Sequence, residues 1–470
     1  MRETTTGEGG PYDSDRSDDA LRRAFTDGRV PIALYGLGKM GLPVAATFAD
    51  RFGAVEGVDL DQSVVSAVEA GDCPVRGEPQ LPELVATVVD EAALTATTNG
   101  DRAATDAAVH VVIVPTLIDE AKEPDLTHLQ AATETIGAGL SVGDVVFVES
   151  TVPPRTCRDV ILPTLEAESG LDRGEFGLAF CPERTASGRA LRDIQRSYPK
   201  VVGGVDEEST RVARVVYSEV TDNEVIPVAD CTTAECVKLF EGFYRDVNVA
   251  LANELATFTD EIGVDVVDAI EVANTVPYCD LHTPGAGVGG HCIPYYPYFL
   301  LNEFETPAEM LATARQTNDS MPAFAVDRLV DLLEGEAFDV NTMAAGSKAD
   351  ARPLAGAQVT VLGVTYRPGV DEIRASPAHG VVDGCRDRGA SVSVVDPVCT
   401  DLAAFDARPL TVEAFQRSTP DGVVLVTAQP GFEAIDWTAF QELAVVDGRQ
   451  ALDLTGTPHR VYTIGRGRTN

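Results

Sequence analysis

Residues 30–50, VPIALYGLGKMGLPVAATFAD, constrain the fold more than any other stretch of the chain. Val30–Tyr35 reads as a buried strand, Gly36–Gly41 as a tight turn, and the residues after it as a helix. Gly36, Gly38 and Gly41 fit G-x-G-x-x-G, and a second strand, AVEGVDLD, ends in Asp59. In that context glycines let the backbone approach a pyrophosphate at the helix N-terminus. The carboxylate accepts from ribose hydroxyls and repels a 2′-phosphate. The pattern predicts a dinucleotide site that prefers NAD to NADP. The plain alternative is a glycine-rich turn that binds nothing; strand, helix and acid together weigh against it. Lys39 and Met40 fall inside the loop and are counted with the cofactor site, although Lys39 also reads as a solvated side chain.

Two more buried strands follow, AAVHVVIVPT (107–116) and DVVFVEST (144–151), separated by helical pattern. A long helical segment without proline runs from Thr232 to about Gly263, and the loop GVGGHCIPYYPYFL comes after it. Then QVTVLGVTYRPG, SVSVVDP, DGVVLVTA and LAVVDGR repeat the alternation of strand and helix. The predicted fold is α/β, two Rossmann-like doubly wound domains joined by a long central helix. The expected parts are a disordered acidic tail (1–28), an NAD-binding Rossmann domain (29–228) and a central helical domain carrying the cysteine loop (229–334). A linker (335–352) and a second α/β domain (353–470) complete the chain.

The formal net charge is −38, spread along the whole chain, and only five of the 36 basic residues are lysine: Lys39, Lys122, Lys200, Lys238 and Lys348. Such a surface suits high salt, where screening suppresses self-repulsion. It argues against nucleic acid as a partner, since phosphates need a basic patch. No apolar run approaches the roughly 20 residues that cross a membrane, and no leader pattern opens the chain, so the expectation is a soluble, cytoplasmic protein without a membrane partner. The nine cysteines are scattered without C-x-x-C pairs, which reads as reduced thiols with no metal site.

Cys292 sits after Gly287, Gly289, Gly290 and His291, with Pro294 close behind. Locally it reads either as a nucleophile held on a turn or as an inert thiol. A series of short motifs decides between them. GLGKMGLP, VPT, ESTVPP, CPER, KVVGG, AECVKLFEGFYRDVNVALANELA, PGAGVGGHCIP and VDEIRASPA follow one another in an order that resembles the nucleotide-sugar 6-dehydrogenases, from residue 30 to about 450. Those enzymes oxidise UDP-glucose, UDP-N-acetylglucosamine, UDP-N-acetylmannosamine or GDP-mannose. The resemblance implies a four-electron oxidation of the sugar C6 alcohol to a carboxylate with two NAD, through a cysteine thiohemiacetal and thioester.

By the same resemblance Cys292 is the nucleophile and Lys238 the fixed positive charge for the oxyanion. Glu183 of CPER is the carboxylate of base catalysis, with an ion pair to Arg184 as its structural alternative. Thr116 helps hold the catalytic water. Glu149, Ser150 and Thr151 lie near the nicotinamide, and Pro115 and Thr116 are counted with the cofactor site. Glu183, Lys238, Arg245, Asn248 and the loop glycines Gly287, Gly289 and Gly290 face the sugar, while Arg367 and Arg374 pair with the diphosphate. FYRDVNVALANELA and GVGGHCIP resemble the N-acetylhexosamine enzymes more than the UDP-glucose enzymes, which favours UDP-N-acetylmannosamine with UDP-glucose and UDP-N-acetylglucosamine as the alternatives, and the family's central helices imply a homodimer. Three positions depart from the pattern. Gly242 replaces an asparagine that stabilises the oxyanion, Tyr296 an aspartate near the water, and Tyr278 an arginine that reaches a neighbouring subunit's substrate. Rival readings are a two-electron β-hydroxyacid-type dehydrogenase and a non-catalytic nucleotide-sugar binding protein. The count of NADH per sugar, two, one or none, separates the three.

Overall fold

The computed structural model describes residues 10–12, 15–119, 121–334 and 353–469; the expected linker, 335–352, lies outside them. The chain divides into two compact units, 1–241 with 298–305, and 242–297 with 306–470.

The first unit is built on an eight-stranded sheet. Its strands are β1 (Ile32–Tyr35), β2 (Val55–Val58), β3 (Leu94–Thr97) and β4 (Val109–Val112). After a short antiparallel ribbon, β5 (Leu117–Ile118) and β6 (Pro124–Asp125), come β7 (Val145–Val148), β8 (Gly177–Phe180), β9 (Lys200–Gly204) and β10 (Val225–Pro227). The spatial order is β10-β9-β8-β7-β4-β1-β2-β3. β1, β4, β7 and β8 are buried at every residue, as expected for parallel strands covered on both faces. Strand order reverses between β1 and β4, so the loop after β1 opens at the switch point where such sheets bind ligands. One neighbour pair, β8 with β9, is antiparallel.

The expected tail needs correction. Asp18–Thr26 forms a helix, capped by the Ser17 side chain, with Leu21, Ala24 and Phe25 fully buried. Asp18 pairs with Arg211 and Arg214, and Arg22 with Glu219, on the helix Glu207–Val220. Three apolar residues at helical spacing carry the packing; the surrounding acids masked them. Tyr12 is also buried, and its hydroxyl donates to Asp206 at 3.0 Å.

The second unit holds a seven-stranded sheet in the order β13-β12-β11-β14-β15-β16-β17. The strands are β11 (Gln358–Leu362), β12 (Ser391–Val395), β13 (Arg408–Leu410), β14 (Gly422–Leu425), β15 (Ala444–Asp447), β16 (Arg460–Thr463) and β17 (Gly467–Thr469). All pair in parallel except β16 with β17. The central helix, Cys231–Thr257, is 27 residues long, and the division between units falls within it. Beside it in the second unit runs Glu309–Glu334. A buried network joins these two helices: Arg315 pairs with Asp246 at 2.5 Å, and Asn318 donates to Asp246 and accepts from Asn253. Burial pushes the Asp246 carboxyl up to about 6, against the pull of Arg315.

Candidate active site

The first unit carries the cofactor loop. Gly36 has φ +102°, and a Cβ there would lie 2.6 Å from the Ile113 carbonyl of the next strand's end. A Cβ on Gly41 would collide with the Gly36 carbonyl, so the helix Gly41–Phe52 can start this close only with glycine. Gly38 faces open space. These three environments are what a backbone cradle for a pyrophosphate requires. Asp59, half-buried at the end of β2, accepts from the Leu37 and Asp61 N–H groups at 2.8 and 2.9 Å. Lys39 and Met40 are half-buried in the loop.

Two strand ends close the other side. Ser150 is buried, and its hydroxyl bonds both the N–H and the carbonyl of Val114 at 2.8 Å. Thr116, half-buried beside exposed Pro115, donates to the Thr151 carbonyl. The Glu149 carboxylate is buried, taking the Tyr217 hydroxyl and lying 3.2 Å from the Lys200 ammonium. Ser150 acts as a clip between strand ends. Burial pushes Glu149 up to about 7; Lys200 pulls it down and Glu183 pushes it further up.

Glu183 lies in the turn after β8 and is 9% exposed. Its carboxylate accepts from Arg184 N–H at 2.7 Å and sits 3.7 Å from Lys200. The Lys238 ammonium donates to the Glu183 carbonyl, so the central helix and the CPER turn bring these two residues together. The Arg184 guanidinium turns away, to Glu241 and the Pro199 carbonyl. The ion-pair alternative for Glu183 therefore belongs to Lys200 rather than Arg184.

The second unit holds the thiol. Cys292 is exposed, and its carbonyl accepts from Tyr295 and Tyr296 N–H at 3.1 and 2.9 Å, which makes a tight turn. The loop before it is pinned from several sides. Gly290 N–H donates to the Arg374 carbonyl at 3.0 Å, and the Tyr366 ring lies where a Cβ on Gly290 would go. Gly289 is packed against Tyr366 and the Ala375 carbonyl. Arg449, which the sequence reading did not single out, donates to the carbonyls of Gly287 and Val426 at 3.1 and 2.7 Å. His291 bonds Glu372 at 2.6 Å, and Arg374 lies 3.2 Å from its other ring nitrogen. Arg374 is exposed and Arg367 half-buried on this same segment. On the central helix Arg245 is exposed, and Asn248 spends its amide on the Tyr244 carbonyl at 2.8 Å.

Two of the three departures explain each other. A Cβ on Gly242 would lie 2.5 Å from the Tyr296 ring, which is itself buried. The tyrosine occupies the volume that a side chain at 242 would need. Tyr278 is 89% exposed.

Comparison with known proteins gives three successive matches to models of one family: its NAD-binding domain over residues 30–221, its central domain over 232–320 and its UDP-binding domain over 360–454. The chain belongs to the UDP-glucose/GDP-mannose dehydrogenase family. This dehydrogenase is 33% identical over 441 residues to UDP-N-acetyl-D-mannosamine dehydrogenase of Pyrococcus horikoshii, covering 93% of this chain and 99% of that one. It is 33% identical over 427 residues to an NDP-N-acetyl-D-galactosaminuronic acid dehydrogenase of Ralstonia solanacearum, covering 89% and 95%. The solved structure of the Pyrococcus horikoshii UDP-D-ManNAc dehydrogenase superposes with a TM-score of 0.81 at 32% identity, over 93% of this chain and 100% of that one. The protein is thus an NAD-dependent nucleotide-sugar dehydrogenase whose C-terminal sheet is the UDP-binding domain. Among the described residues no helix is long and apolar enough to cross a membrane.

Proposed function

We propose that this dehydrogenase converts UDP-N-acetylmannosamine to its uronate: R–CH2OH + 2 NAD+ + H2O gives R–COO− + 2 NADH + 3 H+. The observation that carries the reading is Cys292, exposed on a glycine turn that is tied to the arginine-bearing segment of the UDP-binding domain. NAD, when bound, accepts the two hydrides. The Cys292 thiolate adds to the C6 aldehyde, and loss of the second hydride leaves a thioester. Lys238 supplies the positive charge that each oxyanion needs. Glu183 takes a proton from water as the water oxygen bonds the thioester carbon; the C–S bond then breaks and returns the thiolate. Thr116 holds that water, Arg367 and Arg374 take the diphosphate, and Arg245, Asn248 and the loop glycines bound the sugar. Gly36, Gly38, Gly41 and Asp59 hold NAD, with Lys39, Met40, Pro115 and Thr151 at its border.

The mannosamine sugar is favoured by the Pyrococcus horikoshii relative, and the Ralstonia solanacearum relative makes a galactosamine-type sugar the second reading. Exposed Phe240, Tyr244, Leu251, Phe258 and Ile262 along and just beyond the central helix support a homodimer through that helix. The acidic surface supports a cytoplasm of high salt, where melting temperature and activity rise together as KCl increases toward molar levels. The test of substrate is NADH formation from UDP-N-acetylmannosamine, UDP-N-acetylglucosamine, UDP-N-acetylgalactosamine, UDP-glucose and GDP-mannose in molar salt. The highest kcat/KM is expected for the first, and a higher value for any other replaces it.

A further inference from the structure

Lys200 is the first residue of β9 and one of only five lysines in the chain. Its side chain is 14% exposed and runs between two carboxylates that are more buried still: Glu149 at 3.2 Å (1% exposed) and Glu183 at 3.7 Å (11% exposed). Its ammonium lies 4.5 Å above the Tyr217 ring, and the Tyr217 hydroxyl donates to the far oxygen of Glu149. Strand direction makes the arrangement. β9 runs antiparallel to β8 with Phe180 opposite Gly203, and continuing that register three residues places Lys200 opposite Glu183. A parallel β9 would not do this.

The charges do not balance within the cluster. One ammonium faces two carboxylates, and a charged Glu149 both draws the ammonium toward itself and repels a charged Glu183. Burial works against the Lys200 charge, but Glu149 and Glu183 outweigh it and hold the ammonium charged. The other titratable groups facing the cluster are Cys181 after β8 and Tyr217 on Glu207–Val220, both kept neutral by burial. Among the described residues Lys238 bonds the Glu183 carbonyl, and Arg184 faces Glu241.

We propose that Lys200 is a positioning residue for Glu183, holding its carboxylate in place, and that Glu149 with Tyr217 sets how far the Lys200 ammonium is drawn away from Glu183. This rests on the reading of Glu183 as the base of thioester hydrolysis. Two of the chain's five lysines then serve one glutamate from opposite ends: Lys238 at its carbonyl, Lys200 at its carboxylate. Removing the cation favours protonation of Glu183, so the acid limb of activity moves to higher pH. Removing the competing carboxylate gives Glu183 the undivided cation, so the limb moves to lower pH.

The test is the pH profile of kcat, with single-turnover NADH counts and intact mass, on full-length Lys200→Met, Lys200→Arg, Glu149→Gln and Glu183→Gln. Lys200→Met is expected to lose at least tenfold in kcat at pH 7, with KM little changed. Its acid limb moves up, two NADH still form per site in one turnover, and acyl-enzyme accumulates. Lys200→Arg is expected to restore most of the rate, and Glu149→Gln to move the limb down. Should Lys200→Met fail to fold, the Glu149→Gln limb still decides: a limb below that of wild type supports the proposal and an unmoved one overturns it. Loss of rate in both Lys200→Met and Glu149→Gln with an unmoved limb overturns the proposal. Normal hydrolysis in Glu183→Gln overturns instead the reading of Glu183 on which it stands.

Discussion

The two sheets of this dehydrogenase begin alike and end differently. In each, the first strand runs into a glycine at positive φ, Gly36 after β1 and Gly363 after β11, and each glycine packs on the carbonyl of a neighbouring strand's end, Ile113 or Thr427. In each, the second strand ends in an aspartate, Asp59 or Asp396. Two residues after the turn glycine the likeness stops. Gly38 faces open space, whereas Thr365 is fully buried. Asp59 is half-buried and takes two N–H groups. Asp396 is 5% exposed and takes five donors: the N–H groups of Val364, Thr365, Val398 and Cys399 and the Gln429 amide. The fold alone therefore does not make a dinucleotide site. The site needs an open third position and an acid with lone pairs to spare; where both are filled, the same crevice becomes core.

The sharpest way to break this comparison is to remove both acids. Asp396→Ala leaves five donors without an acceptor and is expected to cost about 3 kcal/mol or more. Asp59→Ala is expected to cost about 1 kcal/mol and to lower NAD-over-NADP discrimination about tenfold or more. Melting curves and kcat/KM with both cofactors measure this. Equal loss of melting temperature in the two variants, with NAD preference intact, would erase the distinction.

Buried carboxylates in the first unit sharpen it further. Glu235, fully buried on the central helix, accepts the N–H groups of Arg155 and Cys157 at 2.5 and 2.8 Å, and burial pushes it up to about 7 against those bonds. Its folded value is raised above the unfolded one, so the unfolded chain releases this proton first. Stability from this group falls as pH rises from about 4.5 to 7, by at most about 3 kcal/mol. Glu235→Gln should flatten that fall, read as a smaller difference in melting temperature between pH 5 and 7.5 than in wild type.

In the second unit, Gly242→Asn is expected to cost about 1–3 kcal/mol by overpacking against Tyr296. Tyr296→Asp in the same chain should recover most of it, since the ring is the obstacle. A double-mutant cycle with no coupling would show that the two departures are independent.

What the sequence made legible follows from how local each signal is. The glycine loop, Asp59 and the central helix are written in consecutive residues, and the structure has them, with the helix ending at Thr257 and a separate short helix, Thr259–Ile262, after it. The helix Asp18–Thr26 carries only Ala20, Leu21, Ala24 and Phe25 as apolar signal among acids and arginines, too little to separate from a tail. The burial of the Glu149 carboxylate was not legible, because its partners Lys200 and Tyr217 come from other elements. Lys200 meets Glu183 only because β9 runs antiparallel, and strand direction leaves no mark in KVVGG. The pairing of Gly242 with Tyr296 joins a helix to a loop 54 positions on and shows only in three dimensions.

The central claim is that Cys292 carries the sugar between two hydride transfers. The most direct measurement is a single-turnover count of NADH per UDP-N-acetylmannosamine, paired with intact mass, on wild type, Cys292→Ser and Cys292→Ala. Two NADH and a uronate are expected for wild type, with at most one NADH, or a slowly hydrolysed ester, for the serine variant. The alanine variant is expected to form no covalent adduct. Two NADH and a carboxylate product from Cys292→Ala would contradict the account and leave the thiol a structural one.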